Sequence, residues 1–330
     1  MDRRRFTATL AAGLALPLAG STAPALRRPH LPARLKPGDT VGLITPASYV
    51  DDRALQRATE QIEGLGLIVK PGRYLRAEKG YLAGTDQQRL DDLHAMFADR
   101  NVKGIWCARG GYGCARLLPD LNLELIRRNP KIFIGYSDIT ALLNYISRET
   151  GLVTYHGPVG SSEFTDFTER YLRAAIMADA EWERISLPDD EKEHYIIHPG
   201  QATGLLWGGN LSLLSALAGT PYAPPVAGNL LFVEEVGEKP YRIDRMLTTL
   251  RQAWDLKKAS GIVLGQFDDC EPDRGDRSLS LRETLFDRLG DLGIPVSYGL
   301  PFGHVKDMCT LPVGGRLRFN GLDFNLLPDV

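Results

Sequence analysis

Three residues that lie far apart in the chain have the side-chain types of a hydrolytic Ser–Glu–His triad and occur in that order. Ser137 follows the apolar run 132–134 and precedes apolar residues at helical spacing, so a strand should end and a helix begin there. Gly135 permits a tight turn at this junction, which would lift the hydroxyl out of the sheet as in a nucleophile elbow. The sequence G-Y-S-D-I departs from the elbow pattern G-x-S-x-G, however, and a serine that caps a helix is the alternative interpretation.

Candidates for the acid and the base lie in the second half of the chain. Glu234 and Glu235 directly follow the apolar run 230–233, where a carboxylate is well placed to orient an imidazole. Side chains alternate faces along a strand, so only one of the two acids can serve a given partner, and a solvated acidic turn is the alternative. Among six histidines, His156 and His304 fall at strand ends. We favour His304 as the base because it follows a glycine in a loop and can therefore approach a hydroxyl from another element. The alternative is that His304 is a surface histidine without a catalytic role.

A glycine-rich segment, R-G-G-Y-G at 109–113, directly follows the predicted strand 102–108. Glycine lets backbone N–H groups approach a negative charge, so Gly110 and Gly111, with the backbone of Asp138, are candidates for an oxyanion hole. A phosphate cradle is the second interpretation, although the Lys-Ser/Thr of a P-loop and the spacing G-x-G-x-x-G are absent from the sequence. A simple tight turn is the third.

The elements that must position these residues alternate between strands and helices in the first half. Strands are predicted at 40–45, 67–70, 102–108, 132–134 and 153–156, and helices at 51–65, from Thr85, at 121–128 and after Ser137. Such alternation indicates βαβ units and a parallel sheet, whose ligands bind at the carboxyl ends of the strands. Both the glycine-rich segment and Ser137 fall at such ends.

The second half has shorter predicted elements. Strands are expected at 195–197, 204–207, 230–233 and 261–266, helices at 210–217 and 241–254, and a terminal hairpin at 316–320 and 323–327. We therefore predict an α/β protein with an N-terminal parallel-sheet α/β domain over residues 38–175. A smaller β-rich C-terminal domain over residues 200–330 would carry the glutamate and histidine, and the linker is expected between about 165 and 200.

Composition narrows the class of protein. The chain has 330 residues, 43% hydrophobic and 24% charged, which is typical of a soluble globular protein with a sizeable core. A net charge of −2 gives no reason to expect binding to nucleic acid or to an anionic membrane surface. Cys107, Cys114, Cys270 and Cys309 lack the C-x-x-C spacing of a metal site, and buried thiols are favoured over disulfides.

The first 25 residues have the three parts of an export signal. Arg3-Arg4-Arg5-Phe6 is followed by the apolar run 8–19 and by Ala23-Pro24-Ala25, a small-x-small cleavage site. The twin arginine resembles a Tat-type signal, so we expect cleavage after Ala25 and a periplasmic location. An uncleaved anchor is the alternative, but the run is shorter than the ~20 residues that a membrane span needs. No other stretch of the sequence is long and apolar enough for a stable span.

Five ordered segments together resemble the LD-carboxypeptidase family of serine peptidases, which recycle or trim murein. They are R-G-G-Y-G, G-Y-S-D-I-T-A, L-W-G-G-N-L, V-E-E-V-G-E-K-P-Y-R-I-D-R-M-L and F-G-H-V. The likeness runs from about residue 38 to residue 327, and the same family includes microcin C self-immunity hydrolases. It implies an N-terminal α/β domain like that of class I glutamine amidotransferases, a β-rich C-terminal domain, a homodimer, and no metal or cofactor.

The resemblance also implies roles for individual residues. The family's nucleophile falls on Ser137, its glutamate on Glu234 and its histidine on His304, with the oxyanion donors at Asp138 and at Gly110-Gly111. The implied substrate is a murein-derived peptide. The implied reaction cleaves the L,D bond between the third-position diamino acid and the terminal D-alanine of a murein tetrapeptide, through an acyl-enzyme on the serine.

Residues that bind the substrate are less defined. Arg109, Arg242 and Arg245 are candidates for the D-alanine carboxylate because arginine pairs with carboxylates bidentately, although each could equally form a structural ion pair. Trp207 and Asn210, on either side of Gly208-Gly209, are candidates for a wall of the cleft, with core packing as the alternative for the tryptophan.

Two other functions fit parts of this pattern. One is a related serine hydrolase of microcin C-type peptide antibiotics, which would need an aromatic platform for adenine and whose targets are cytoplasmic. The other is a non-enzymatic periplasmic binding protein, which would need no Ser–Glu–His geometry. The export signal makes trimming of murein a better expectation than recycling.

Overall fold

A computed structural model describes residues 27–182, 184–185, 187, 193–323 and 325–328, and the predicted leader, residues 1–25, lies outside them. The strands are β1 (Thr40–Ile44), β2 (Ile68–Pro71), β3 (Val102–Cys107), β4 (Ile132–Gly135), β5 (Thr154–His156), β6 (Tyr195–His198), β7 (Gln201–Asn210), β8 (Leu230–Val236), β9 (Gly261–Asp268), β10 (Val296–Tyr298), β11 (Leu311–Val313), β12 (Arg316–Asn320) and β13 (Asn325–Pro328). The helices are α1 (Asp52–Gly64), α2 (Asp86–Ala98), α3 (Leu123–Arg128), α4 (Thr140–Thr150), α5 (Asp166–Ile176), α6 (Leu211–Leu217), α7 (Pro240–Ala253) and α8 (Leu281–Leu289).

The first sheet has six strands in the order β11-β5-β4-β3-β1-β2. Its five strands from the first half of the chain are parallel, as the alternation of strands and helices predicts. The sixth, β11, comes from the end of the chain and runs antiparallel to β5. The C-terminal half therefore returns to complete the sheet that carries Ser137.

The second sheet has seven strands in the order β13-β12-β7-β8-β9-β10-β6. Its four central strands, β7 to β10, are parallel, and the predicted terminal hairpin pairs β12 with β13 at its edge. Helix α7 packs against α6 and α8. This arrangement confirms the predicted α/β fold class with two sheets.

Local sequence explains where the helices of the first half begin. Thr85 forms the predicted N-cap of α2, and with Gln88 it makes a full capping box. Asp51 caps α1 through a single hydrogen bond, which its side chain accepts from the backbone N–H of Ala54. Sequence analysis missed α5, which lies inside the segment assigned to the linker, although Thr165 caps it through Thr168. It also missed α8, β10 and β11.

The strand that precedes Ser137 is buried on both faces. Ile132, Phe133 and Ile134 are all fully buried, because helices cover one face of the parallel sheet and a second apolar cluster covers the other. Burial of each such side chain stabilises the fold by about 2 kcal/mol. The four cysteines are buried with free thiols, as predicted. Among the described residues, no helix has the length and apolar character of a membrane span.

Gly208 and Gly209, in the middle of the segment L-W-G-G-N-L, let β7 approach its neighbours unusually closely. Both have φ in the region that favours glycine, at +141° and +135°. A Cβ on Gly208 would lie 1.9 Å from the carbonyl oxygen of Phe232, and one on Gly209 would lie 2.4 Å from Thr140 Oγ1. The second contact joins β7 to the start of α4, which follows the candidate nucleophile.

We predict that Gly208→Ala lowers the free energy of unfolding by about 3 kcal/mol or more, because backbone strain and a clash with rigid backbone add together. Gly228→Ala is the matched control, since Gly228 also has a positive φ of +73° but a Cβ there meets nothing within 4 Å. It should cost only about 1 kcal/mol. Urea denaturation of the two variants measures both values, and equal losses would contradict the steric explanation.

Candidate active site

Ser137 lies on a strained turn between β4 and α4. It begins a short 3-10 turn, Ser137–Ile139, with a φ of +62°, and within the described chain Asp269 is the only other non-glycine residue at positive φ. Such backbone strain is concentrated at functional sites. A Cβ on Gly135 would lie 2.9 Å from Ile139 Cγ1, so glycine is needed for the turn. Neither this turn nor α4 has a side-chain cap, which disfavours the interpretation of Ser137 as an N-cap.

The glycine-rich segment passes directly beside this serine. A Cβ on Gly110 would lie only 2.8 Å from Ser137 Cβ, and Gly111 has a φ of +112°. Ser48, which sequence analysis missed, holds the segment: its N–H donates to the Gly110 carbonyl at 3.3 Å, and its Oγ accepts from the N–H of Tyr112 at 3.1 Å. The glycine-rich segment and the elbow are therefore packed as one unit.

The N–H groups of Gly110, Gly111 and Asp138 donate to no other group in the part of the chain that the structure describes. They are therefore available as donors, and their role as an oxyanion hole stays a prediction. The Asp138 carboxylate is buried and accepts from the N–H of Cys114 at 2.7 Å, and burial raises the pKa of this carboxyl. Its side chain thus ties the elbow to the residues that follow the glycine-rich segment.

Glu234 and His304 form a hydrogen-bonded pair. Glu234 lies near the end of β8 and is fully buried, and His304 lies in the loop between β10 and β11 with 20% of its side chain exposed. The distance between His304 Nδ1 and Glu234 Oε2 is 2.7 Å. Gly303, with a φ of +113°, permits this approach, because a Cβ there would lie 2.9 Å from Glu234 Cβ. With Nδ1 donating to the carboxylate, Nε2 is left as the basic nitrogen.

The pKa of His304 reflects two opposed effects. Burial disfavours the charged imidazolium and lowers the pKa. The hydrogen bond that Glu234 accepts and its negative charge outweigh burial, so the pKa of His304 lies above its ordinary value. The pair therefore has the electrostatics expected of a base oriented by a carboxylate.

Tyr136 connects the pair to the elbow. Its ring centroid lies 4.8 Å from that of His304, which brings the imidazole next to the residue that precedes Ser137. A cleft of about 340 Å³ opens here, lined by Tyr136, by Ser162, Glu163 and Thr168, and by His304, Val305, Lys306 and Met308. A hydrogen bond between the Ser137 hydroxyl and His304 is not among those formed in the described residues. Such contacts often tighten only when substrate binds.

The loop that carries His304 is held by the start of α5. Thr168 Oγ1 donates to the Lys306 carbonyl at 3.2 Å and accepts from the N–H of Met308 at 3.0 Å. Sequence analysis missed this anchor because it placed the linker there. The signal that could have found it is Thr165-Asp166 before an amphipathic segment, which is typical of a helix start.

Glu235, the second of the two adjacent glutamates, has a structural role. Glu235 is buried and accepts from Asn210 Nδ2 at 3.0 Å and from both the N–H and the hydroxyl of Ser212 at 2.7 Å. Asn210 also caps α6, accepting from Leu213. The amide of Asn210 is thereby engaged at both ends within the fold, which leaves little capacity for substrate.

The remaining candidates for substrate binding differ in their exposure and in their contacts within the fold. Arg109 is exposed beside Gly110, and its Nη1 donates to the Tyr49 carbonyl at 3.0 Å. Arg242 forms an ion pair with Glu238 at 3.2 Å, and Arg245 lies on the exposed face of α7. The side chain of Trp207 is buried in the core, in agreement with core packing rather than with a wall of the cleft. Among the three arginines, only Arg109 belongs to the glycine-rich segment, whereas the N–H of Asn210 reaches the start of α4 and donates to Thr140 Oγ1 at 3.1 Å.

His156, the weaker candidate for the base, is fully buried. Burial lowers its pKa to about 4, so at neutral pH the imidazole is neutral but has no access to a substrate. Among the described residues, no group of three His, Cys, Asp or Glu side chains is arranged to hold a metal ion.

Comparison with known proteins gives matches over both halves of the chain. Residues 41–157 match the LD-carboxypeptidase N-terminal domain, and residues 203–319 match the LD-carboxypeptidase C-terminal domain. A probable murein peptide carboxypeptidase of Bacillus subtilis is 41% identical over 292 residues, which cover 88% of this chain and 92% of that protein.

Solved structures agree with these sequence matches. The muramoyltetrapeptide carboxypeptidase from Oxalobacter formigenes has a TM-score of 0.76 and 33% identity, covering 87% of this chain and 97% of its own. MccF in complex with glutamyl sulfamoyl guanosine has a TM-score of 0.82 and 25% identity, covering 92% of this chain and 99% of its own. This chain is thus similar to both a murein peptidase and a microcin immunity protein.

We predict that Glu234→Gln lowers the pKa of His304 below its ordinary value of about 6.5, because burial remains while the opposing charge is lost. NMR titration of the imidazole Cε1–H resonance, assigned by its loss in His304→Gln, measures this pKa. Glu235→Gln is the matched control and should lower the same pKa much less, since Glu235 acts on His304 only through its charge. A larger effect of Glu235→Gln would mean that Glu234 is not the orienting carboxylate.

Proposed function

We propose a function on the premise that the chain belongs to the LD-carboxypeptidase family and is a carboxypeptidase. Relatives named as murein peptide carboxypeptidases support a murein-derived peptide as the substrate. The proposed reaction releases the terminal D-alanine of a murein tetrapeptide by cleaving the L,D bond. The observation that carries a serine mechanism is the 2.7 Å contact between Glu234 and His304 beside the strained turn of Ser137.

In the first half of the reaction, the Ser137 hydroxyl attacks the carbonyl carbon of the third-position residue. His304 Nε2 takes the hydroxyl proton, and Glu234 stabilises the imidazolium that forms. The carbonyl oxygen becomes an oxyanion, and the N–H groups of Asp138 and of Gly110 or Gly111 donate to it. Each such donor is worth about 3 kcal/mol of transition-state stabilisation.

In the second half, the tetrahedral intermediate collapses. The C–N bond to D-alanine breaks, and the imidazolium gives its proton to the departing amine. Water then attacks the acyl-enzyme ester, with His304 as the base again, and the tripeptide leaves with a new carboxylate. The serine recovers its proton, so the protein is unchanged over the cycle.

Arg109 is the proposed partner of the D-alanine carboxylate. Arg109 is the exposed first residue of the glycine-rich segment, and its hydrogen bond to the Tyr49 carbonyl uses only one of its donors. The remaining N–H groups can form a bidentate pair with a carboxylate. An exo-acting carboxypeptidase needs such a contact to recognise a chain end.

A second candidate function rests on the likeness to MccF, whose solved structure holds glutamyl sulfamoyl guanosine. Hydrolysis of an acyl-sulfamoyl nucleotide would use the same serine and oxyanion donors. Tyr112, within the glycine-rich segment, forms an edge-to-face pair with Tyr81, with centroids 5.6 Å apart. Both rings are exposed and offer an aromatic surface for a nucleobase. Membership of a peptidase family removes the interpretation as a non-enzymatic binding protein.

The leader places the enzyme at its substrate in this proposal. Residues 1–25 would direct export by the Tat route and be cleaved after Ala25, so the enzyme would trim murein or its released fragments in the periplasm. Mutation of Arg3, Arg4 and Arg5 to lysine should retain the protein in the cytoplasmic fraction. Immunoblots of periplasmic and cytoplasmic fractions measure this, and unchanged distribution would contradict Tat export.

The homodimer stays a prediction, and sedimentation of the mature chain tests it.

The decisive experiment measures D-alanine released from tetrapeptides that carry a diamino acid or lysine at position three. Ser137→Ala should lower the rate at least about 10³-fold, because the acyl-enzyme cannot form. The free energy of unfolding should change by less than about 1 kcal/mol, since Ser137 is partly exposed.

Ser278→Ala, at an exposed serine before α8, is the matched control and should keep full activity. Full activity of Ser137→Ala would refute the assignment of the nucleophile. If the wild-type protein releases no D-alanine but hydrolyses a glutamyl sulfamoyl nucleoside, the second candidate function replaces the first.

A further inference from the structure

His156 is a buried imidazole that the proposed mechanism does not use. It ends β5, is fully buried, and neither ring nitrogen has a hydrogen-bond partner in the described residues. Buried polar groups are almost always hydrogen-bonded, because an unpaired one costs on the order of 1–3 kcal/mol. A histidine that only filled space at this position would be less stable than an apolar ring. Its polar atoms therefore need an explanation.

His156 packs against the segments that carry Ser137, Glu234 and His304. Its partner in β4 is Gly135, two residues before the nucleophile. Its ring lies 5.1 Å from the ring of Phe232 and 6.3 Å from that of Phe302. These phenylalanines precede Glu234 and His304 by two residues each. The imidazole of His156 therefore packs against both segments that carry the proposed acid and base.

The carboxylate of Glu234 also has an oxygen without a hydrogen-bond partner among the described residues. His304 occupies Glu234 Oε2, whereas Oε1 is buried without a partner among the described residues. An ionised carboxylate that is fully buried requires donors on both oxygens to offset its desolvation. The charges of Glu234 and His304 both act on His156, the first raising its pKa and the second lowering it, so the three groups share one electrostatic environment.

Thr310 completes the group of unpaired atoms. Its Oγ1 is buried and also without a partner in the described chain. A Cβ on Gly157, the residue after His156, would lie 2.9 Å from this oxygen. The imidazole, the carboxylate oxygen and the hydroxyl thus all lack partners among the described residues, and their donor and acceptor capacities match one another.

His156 and Glu234 form no direct hydrogen bond, although both have unpaired polar atoms. We propose that His156 is a positioning residue that donates an N–H hydrogen bond to a buried water, which donates in turn to Glu234 Oε1 and thereby fixes the carboxylate that orients His304. The Thr310 hydroxyl is available as a donor to the other ring nitrogen. His156 remains neutral in this role, because burial lowers its pKa to about 4, so it does not compete with His304 for the charge of Glu234. This inference rests on the proposed Ser–His–Glu mechanism and adds a fourth residue to it.

The test compares His156→Gln, which keeps an N–H donor, with His156→Phe, which keeps the ring but removes every polar atom. If His156 positions Glu234, His156→Phe should lower kcat for D-alanine release about 10- to 100-fold with KM changed less than about twofold. The kcat of His156→Gln should be at least several-fold higher than that of His156→Phe. If His156 only fills space, the order reverses, because an apolar ring suits an apolar pocket better than an amide does. That reversed order would overturn the proposal.

Tyr155→Phe is the matched control, since Tyr155 is a buried ring on the same strand that faces the opposite side of the sheet, and it should leave kcat unchanged. A readout independent of activity is the NMR titration of His304. Loss of the donor to Oε1 leaves more negative charge on the carboxylate for His304, so the pKa of His304 should rise in His156→Phe and stay near the wild-type value in His156→Gln.

An unchanged His304 pKa in His156→Phe would refute the proposal even if the protein turned over a different substrate. If the wild-type protein released no D-alanine while the His304 pKa still moved as expected, the proposed function would fail and the role of His156 would stand. Should His156→Phe not fold, His156→Leu takes its place in both measurements.

Discussion

The contact between the buried carboxylate of Glu234 and the imidazole of His304 is the interaction on which the rest of the site depends. A fully buried carboxylate is costly in free energy unless it is paired and hydrogen-bonded, and the 2.7 Å contact with Nδ1 supplies a donor and, when the imidazole is protonated, an opposite charge. The same contact fixes the tautomer of His304, since Nδ1 must carry the proton and Nε2 must be the base. One hydrogen bond thus determines both the stability of the pair and its chemistry.

This interaction can form only because the two sheets are joined. Glu234 and His304 belong to the second sheet and its loops, whereas Ser137 belongs to the first. Strand β11 leaves the loop of His304 and pairs with β5 in the first sheet, so the loop is anchored at both ends. Glycines then permit the close approaches, at Gly110 beside Ser137 and at Gly303 beside Glu234. The site is therefore a property of the whole chain rather than of one domain.

Sequence reasoning could predict the parts of this site that local chemistry determines. The apolar run before Ser137 and the glycine pattern around it specify a strand, a turn and a helix, and the structure has all three. It could not predict which neighbours the chain brings to these residues. Ser48 holds Tyr112 of the glycine-rich segment from 64 residues away, and Thr168 holds Met308, in the loop of His304, from 140 residues away. Short elements such as β10 and β11, three residues each, have too little periodicity to be read from sequence.

The two histidines show why the surroundings decide the role of a side chain. Both end up near Glu234, but His304 keeps a hydrogen bond to the carboxylate and partial exposure, and its pKa rises, whereas burial without a partner lowers the pKa of His156 to about 4. Because the folded pKa of His304 is raised, its protonated pair stabilises the fold below the unfolded pKa of about 6.5, and this contribution is lost as pH rises through the folded value. The proposed mechanism needs the neutral imidazole. In the pH range in which His304 becomes a base, its ion pair with Glu234 ceases to stabilise the protein, and only the neutral hydrogen bond from Nδ1 to the carboxylate remains. A further donor that does not titrate in that range would hold the carboxylate more firmly, and the imidazole of His156, with its pKa of about 4, stays neutral there.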